Sequence, residues 1–73
     1  LATSTRRALA EHKLALSGLA GFLPHRVCGG ETARGKPHPD PYLAALGLLG
    51  TPAAATWACE DSDHGVRAAH AAG

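Results

Sequence analysis

Apolar residues recur at helical spacing in three stretches of the chain, which predicts three helices. The first covers Arg6–Leu16, and Gly18 closes it in the left-handed conformation that glycine adopts easily. The second starts at Asp40 with Pro41 at its first position, where proline is favoured, and stops at Gly50. Its inward-facing positions are predicted to be Tyr42, Leu43, Leu46 and Leu49.

The third helix begins near Ser62 or Asp63, and its apolar stripe is predicted to consist of Val66, Ala69 and Ala72. The run Ala53–Cys59 precedes it and is apolar on both faces, which is typical of a parallel strand covered on both sides. The segment His25–Cys28 is a shorter strand candidate. Strands that alternate with helices predict an α/β fold with a parallel sheet and helices on both faces.

The first residues of the chain are the predicted end of another strand. Leu1 and Ala2 lead into a hydroxyl-rich turn of Thr3, Ser4 and Thr5. Ser4 or Thr5 can cap the first helix, and the same turn can also bind an anion at the helix N-terminus. Most turns of this kind are only caps.

Three polar features are expected at the carboxyl edge of the sheet, where ligands bind in such folds. They are the Thr3–Thr5 turn, Lys36, and the acidic pair Glu60 and Asp61. Adjacent carboxylates at a strand end either cap the following helix or bind a hard cation such as Mg²⁺. Lys36 lies in a stiff segment with prolines at positions 37, 39 and 41. It is either a surface residue or a positive charge held beside the acids or a phosphate.

Composition narrows the class of protein. The chain has 73 residues, three aromatic residues and 45% hydrophobic residues, many of them alanine, so its core is expected to be thin. A net charge of +1 and few aromatic residues argue against nucleic-acid binding. No membrane-spanning run is present, so no membrane partner is expected. Cys28 and Cys59 are expected to be buried, reduced thiols, which favours a cytoplasmic protein.

Residues 1–5, 35–43 and 60–69 resemble motifs two, three and four of the haloacid dehalogenase (HAD)-like hydrolases. The combination of GKPHPDPYL with EDSDHG is similar to the phosphatase and β-phosphoglucomutase-like branch of that family. The spacing of the motifs also fits, and the resemblance covers essentially the whole chain. It implies a HAD-like, Rossmann-like parallel sheet.

The resemblance also implies roles for individual residues. Thr3 would hydrogen-bond the transferring phosphoryl group with help from the Ser4 backbone N–H, and Lys36 would neutralise its charge. Glu60 and Asp61 would bind Mg²⁺. Thr5 and Arg6 occupy positions that approach the substrate's own polar groups in mutase-like members. Arg6 and Arg7 could select a second anionic group, but exposure of both on the helix is the favoured interpretation.

The chain departs from the family pattern in three ways. It contains no DxDGT motif, which supplies the aspartate nucleophile, and it has no cap domain; Gly29-Gly30 also replaces the Gly-Asp common in relatives. Residues 1–73 are therefore predicted to be the C-terminal part of a HAD-like core that lacks its central strand and its N-terminal half.

The functional expectation is a Mg²⁺-dependent phosphatase or sugar phosphomutase that acts on a small phosphorylated metabolite through an aspartyl-phosphate in the intact protein. The fragment alone is expected to be inactive because it lacks the nucleophile. The alternative is a non-catalytic, truncated remnant, or a fragment that binds phosphate or a partner.

Overall fold

The computed structural model describes all 73 residues, which form two strands, three helices and two short 3₁₀ turns. In chain order the regular elements are β1 (Ala2–Arg6), α1 (Arg7–Ser17), β2 (Val27–Gly29), α2 (Asp40–Leu49) and α3 (Asp63–Ala72). The 3₁₀ turns are Ala20–Phe22 and Ala53–Ala55. No helix combines the length and the apolar character needed to cross a bilayer.

The strands β1 and β2 pair in parallel, which confirms the predicted α/β class. Ala2 lies opposite Val27 and Arg6 lies opposite Gly29, so β1 contains an irregularity between these two pairs. The prediction of a turn at Thr3–Thr5 is wrong, since these residues belong to β1. Within the irregular stretch the Thr3 hydroxyl accepts a hydrogen bond from the Thr5 N–H at 3.1 Å.

The helix boundaries agree with the sequence to within about one residue, and the predicted caps are largely present. Gly18 and Gly50 both adopt the left-handed conformation, with φ of 74° and 67°. Ser62 caps α3 by accepting a hydrogen bond from the Gly65 N–H at 3.0 Å. Helix α1 has no side-chain cap, because Ser4 and Thr5 are part of the strand and Arg6 occupies the N-cap position.

The core is as thin as the alanine-rich composition predicts. Its buried side chains come from α1, β2 and α3 and are Ala10, Leu14, Val27, Cys28 and Ala68. Helices α1 and α2 both pack against the two strands, and α3 packs against α2. Glycine and alanine face inward on α3, at Gly65 and Ala68.

Several residues that the helical spacing places inside are half-exposed. Leu43, Leu49 and Val66 each leave about half of their surface open to solvent. The stripe predicted on α3 is displaced by one position, since Gly65 and Ala68 are buried and Val66 is not. Leu49 is exposed because it lines an open groove instead of meeting another layer of structure.

The predicted strand Ala53–Cys59 is not formed. Ala53–Ala55 is a 3₁₀ turn, and residues 57–59 make no backbone–backbone hydrogen bond. Trp57 is 95% exposed, and Cys59 is exposed as well, whereas Cys28 is buried as expected. A strand is stable only when a neighbour pairs with its backbone groups, and a groove lies between this segment and β1.

Candidate functional site

Lys36 is held at one end of this groove by partners from distant parts of the chain. Its ammonium donates a hydrogen bond to the Ala2 carbonyl at 3.0 Å and another to Oε1 of Glu60. The side chain is only 11% exposed. An ammonium group has three N–H donors, so one remains for a ligand. The stiff loop that begins at Lys36 has a cis Lys36-Pro37 peptide bond.

Glu60 receives two hydrogen bonds on the same carboxylate oxygen. Lys36 and the Tyr42 hydroxyl both donate to Oε1, and the Glu60 side chain is 10% exposed. The hydrogen bond from Lys36, and then that from Tyr42, lowers the pKa of Glu60 below its usual value. Glu60 is therefore ionised at neutral pH.

Gly65 leaves the space that the Glu60 carboxylate occupies. A methyl group at position 65 would overlap that carboxylate. Gly65 lies in the first turn of α3 and is itself buried. A glycine at this position therefore allows Glu60 to lie against the start of the helix.

Sequence reasoning missed the part that Tyr42 plays and placed it in the core. The hydroxyl contacts Glu60, and the ring centroid lies 5.3 Å from the Lys36 ammonium. Burial and the Glu60 carboxylate raise the pKa of Tyr42 above its usual value, so the hydroxyl remains a donor. The sequence feature that could have indicated this role is a tyrosine six positions after Lys36, directly behind the proline-rich segment.

The structure brings together four of the predicted site residues, Thr3, Lys36, Glu60 and Asp61. All four line the same groove, whose volume is about 570 Å³. Thr3 belongs to β1, Lys36 to the loop before α2, and the two acids to the segment before α3. Thirteen of the nineteen lining residues are hydrophobic, so the charged residues share the groove with a mostly apolar surface.

Ser4, Thr5 and Arg6 lie outside this groove. Thr5 lines a smaller depression of about 270 Å³ beside α1, while Ser4 is exposed. Arg6 is exposed, lies close to Gly30 and makes no ion pair. Arg7 is exposed too and donates to Glu31, Glu11 and the Arg26 carbonyl. Of the two arginines, Arg6 is the one whose side chain has no hydrogen-bond or ion-pair partner.

The donor set of Glu60 and Asp61 fits part of a Mg²⁺ site. Carboxylate oxygens are the hard ligands that this ion prefers. Asp61 is exposed and its side chain makes no hydrogen bond, and Oε2 of Glu60 accepts none either. The structure contains no group of three or more histidine, cysteine or acidic side chains that could bind a metal. These two residues therefore supply only some of the ligands that Mg²⁺ needs.

Comparison with known proteins shows the family of this chain. The family model of the haloacid dehalogenase-like hydrolases matches residues 1–73. Protein CbbY of Rhodobacter capsulatus is 45% identical over 76 residues, which cover the whole of this chain and 34% of that relative.

Two further relatives carry phosphatase names. Phosphoglycolate phosphatase of Cupriavidus necator is 44% identical over 71 residues, covering 97% of this chain and 31% of that protein. The probable pseudouridine-5'-phosphatase of Drosophila melanogaster is 40% identical over 79 residues, covering the whole chain and 34% of that protein. The chain thus spans about a third of the length of these curated relatives.

Proposed function

The chain belongs to the haloacid dehalogenase-like hydrolases, and from this premise we propose that it forms part of a Mg²⁺-dependent phosphatase site. The observation that supports the proposal is the placement of Lys36. Its ammonium is shielded, is held by Ala2 and Glu60, and keeps one donor for a ligand beside Thr3 and Asp61. A fixed cation in the lining of a groove suits an anionic substrate group.

The chemistry of phosphoryl transfer explains why these residue types are needed. The reaction depends mostly on positioning and on neutralising charge on the equatorial phosphoryl oxygens. Lys36 would bind one of these oxygens through its remaining N–H. Thr3 would donate its hydroxyl hydrogen to another, since its oxygen already accepts from the Thr5 N–H. The Ser4 backbone N–H would assist Thr3.

The Mg²⁺ ligands of this chain would be Glu60 and Asp61. The ion would add positive charge next to the phosphoryl group. Asp61 is exposed and its carboxylate accepts no hydrogen bond, so it is the better-placed ligand, whereas Glu60 already binds Lys36 and Tyr42 through one oxygen. Thr5 and Arg6 would face more distant polar groups of the substrate.

The groove is the proposed place of the strand that bears the nucleophile. On one side lies the unpaired edge of β1, and on the other lie residues 57–59, whose backbone groups are also unpaired. A strand inserted here would pair on both sides and cover the apolar lining. The aspartyl-phosphate expected of this family would form on that strand, so the N-terminal half of the fold is the partner that this chain requires.

The proposed substrate is a small phosphorylated metabolite, as the names of two relatives indicate for those proteins. Whether the reaction is hydrolysis or a phosphomutase transfer depends on residues outside this chain. The cytoplasmic location expected from the reduced cysteines stays a prediction.

The test is hydrolysis of a generic aryl phosphate by the full-length protein, with and without Mg²⁺. Asp61→Asn should abolish Mg²⁺-dependent turnover and leave thermal unfolding near that of the wild type. Asp63→Asn is the matched control, since Asp63 is an exposed acid two residues away that pairs with Arg67 at 2.9 Å. Turnover of Asp61→Asn within about tenfold of wild type, or about 1.4 kcal/mol, would contradict the metal role. Absence of turnover in the wild type would favour a non-catalytic remnant.

A further inference from the structure

We propose that Tyr42 is a positioning residue that holds Glu60 and Lys36 in the geometry needed for phosphoryl transfer, an inference that rests on the proposed function. Tyr42 lies in the first turn of α2, directly after the buried Pro41. It contacts both charged side chains through different parts of its own side chain. Apart from the hydrogen bond between Lys36 and Glu60 themselves, Tyr42 supplies the only side-chain hydrogen bond to either charged group.

The hydroxyl of Tyr42 determines where the Glu60 carboxylate can lie. Glu60 has three rotatable bonds, and a single contact with Lys36 would leave its carboxylate free to turn about the Lys36–Glu60 axis. The second hydrogen bond to Oε1 comes from a helix and removes that freedom. As a result, Oε1 is used for Lys36 and Tyr42, while Oε2 lies against Gly65.

The ring of Tyr42 restricts Lys36 in turn. An ammonium 5.3 Å from the ring centroid is attracted by the negative face of the aromatic system. Together with the Ala2 carbonyl and Glu60, the ring limits the ammonium to one position. The remaining N–H of Lys36 therefore already has a fixed direction, so Lys36 loses little conformational entropy when a phosphoryl group binds. A mobile lysine would lose that entropy on binding.

This role differs from a contribution to the core. Tyr42 is only partly buried, and its hydroxyl is the group that reaches Glu60. Tyr42→Phe removes the hydroxyl and keeps the ring, so it separates positioning of Glu60 from packing. Because the hydroxyl of Tyr42 contacts Glu60 and its ring lies over Lys36, loss of the hydroxyl should act through these two side chains, lowering kcat and leaving KM nearly unchanged.

The experiment is a double-variant cycle in the full-length protein, with aryl phosphate as the substrate and Mg²⁺ present. Tyr42→Phe should lower kcat about tenfold, which is the effect of losing one hydrogen bond to a charged group. In a Glu60→Ala background the same change should lower kcat no further, because Tyr42 acts through Glu60. Leu43→Ala is the control: Leu43 neighbours Tyr42 on α2, is half-exposed and does not line the groove, so its kcat should match the wild type.

Urea unfolding tests the Tyr42–Glu60 hydrogen bond without relying on activity. The four proteins of the cycle are the wild type, Tyr42→Phe, Glu60→Ala and the double variant. The double variant should unfold at the same midpoint as Glu60→Ala alone, because the Tyr42–Glu60 hydrogen bond is absent from both proteins. If Glu60→Ala does not fold, Glu60→Met replaces it, because methionine keeps the length of the side chain and removes the acceptor.

The outcomes separate the inference from the proposed function. A kcat of Tyr42→Phe within twofold of wild type would overturn the inference, as would equal losses in the two backgrounds. Equal shifts of the unfolding midpoint in the two backgrounds would also overturn it. If the wild type hydrolyses no aryl phosphate, the proposed function fails, and the unfolding cycle still decides whether Tyr42 holds Glu60.

Discussion

Two ion pairs, each between a basic side chain and a carboxylate, connect distant parts of this chain. They differ in their exposure to solvent and in their position relative to the groove. Arg7 pairs with Glu31 and Lys36 pairs with Glu60, and the partners of each pair are 24 positions apart in the sequence. The Arg7–Glu31 side chains are 44% and 34% exposed, whereas those of Lys36 and Glu60 are 11% and 10% exposed.

The Arg7–Glu31 pair is part of an exposed hydrogen-bond network. Arg7 donates twice to Glu31, at 2.6 and 2.9 Å, once to Glu11 at 3.0 Å, and once to the Arg26 carbonyl at 2.9 Å. These bonds use four of the five N–H donors of the guanidinium group. Glu31 also accepts from the Cys28 N–H at 2.9 Å, so the pair connects α1 to β2 and stabilises the fold.

The Lys36–Glu60 pair retains reactive capacity. Lys36 keeps one N–H, and Oε2 of Glu60 accepts no hydrogen bond. Shielding from water strengthens the electrostatic effect of both charges on a bound anion. Of these two ion pairs, the candidate for chemistry is therefore the one that is shielded from water and lines the groove, although both join residues 24 positions apart in the sequence.

The largest loss of activity and stability is expected when the Lys36–Glu60 pair is separated from the N-terminal half of the fold. The 73 residues made alone should neither hydrolyse phosphate esters nor unfold cooperatively. The chain lacks the DxDGT motif that supplies the nucleophile of this family. Its core contains only five buried hydrophobic residues, which is too few for the stability of about 5–15 kcal/mol of a complete domain.

Circular dichroism during heating, with and without Mg²⁺ and orthophosphate, measures whether the isolated chain unfolds cooperatively. Because Trp57 is 95% exposed, its emission maximum should shift little during heating. A sharp transition near 50 °C or above, in the range usual for a complete domain, would show that the chain is a self-sufficient fold.

The next effect concerns the charge that distinguishes the two pairs. In the full-length protein, Lys36→Ala should lose about 2–4 kcal/mol of transition-state stabilisation, which corresponds to roughly 30- to 900-fold in kcat/KM. Lys13→Ala is the matched control, because it removes the same charge from the exposed surface of α1. Equal rates for Lys36→Ala and wild type would make Lys36 a surface residue of a stiff loop.

The smallest effect is expected at the exposed pair and appears only in acid. Hydrogen bonds from Arg7, and then from the Cys28 N–H, lower the pKa of Glu31 from 4.5 to about 2. A lowered pKa means that the stabilisation is present above the unfolded value and is lost as the pH falls from about 4.5 towards 2.

Thermal unfolding midpoints of the full-length protein, measured from neutral pH down to about pH 2, test this prediction. The difference in midpoint between wild type and Glu31→Gln should be largest at neutral pH and should narrow on acidification. Added salt should narrow it too, since exposed pairs are screened. A gap that stays constant with pH would contradict the assigned pKa.

Local sequence alone determined the helices and most of their ends. Gly18, Gly50, Pro41 and Ser62 act within one turn of their own position, through left-handed φ values, a fixed proline φ and a side-chain cap. Such effects depend on near neighbours in the chain, so a sequence pattern can predict them. Thr3, Lys36, Glu60 and Asp61 line one groove as predicted, although the strand that was expected to carry Glu60 and Asp61 at its end is not formed.

Other features depend on the strands and helices that pack against a segment, and these follow from the tertiary structure. The apolar run Ala53–Cys59 has the composition of a strand, but strand formation requires a neighbour whose backbone groups are in register, and a groove lies there instead. Thr5 belongs to a strand and not to a cap because β2 pairs with β1. Tyr42 reaches Glu60 because α2 packs against α3, so an apparent core residue holds a charged one.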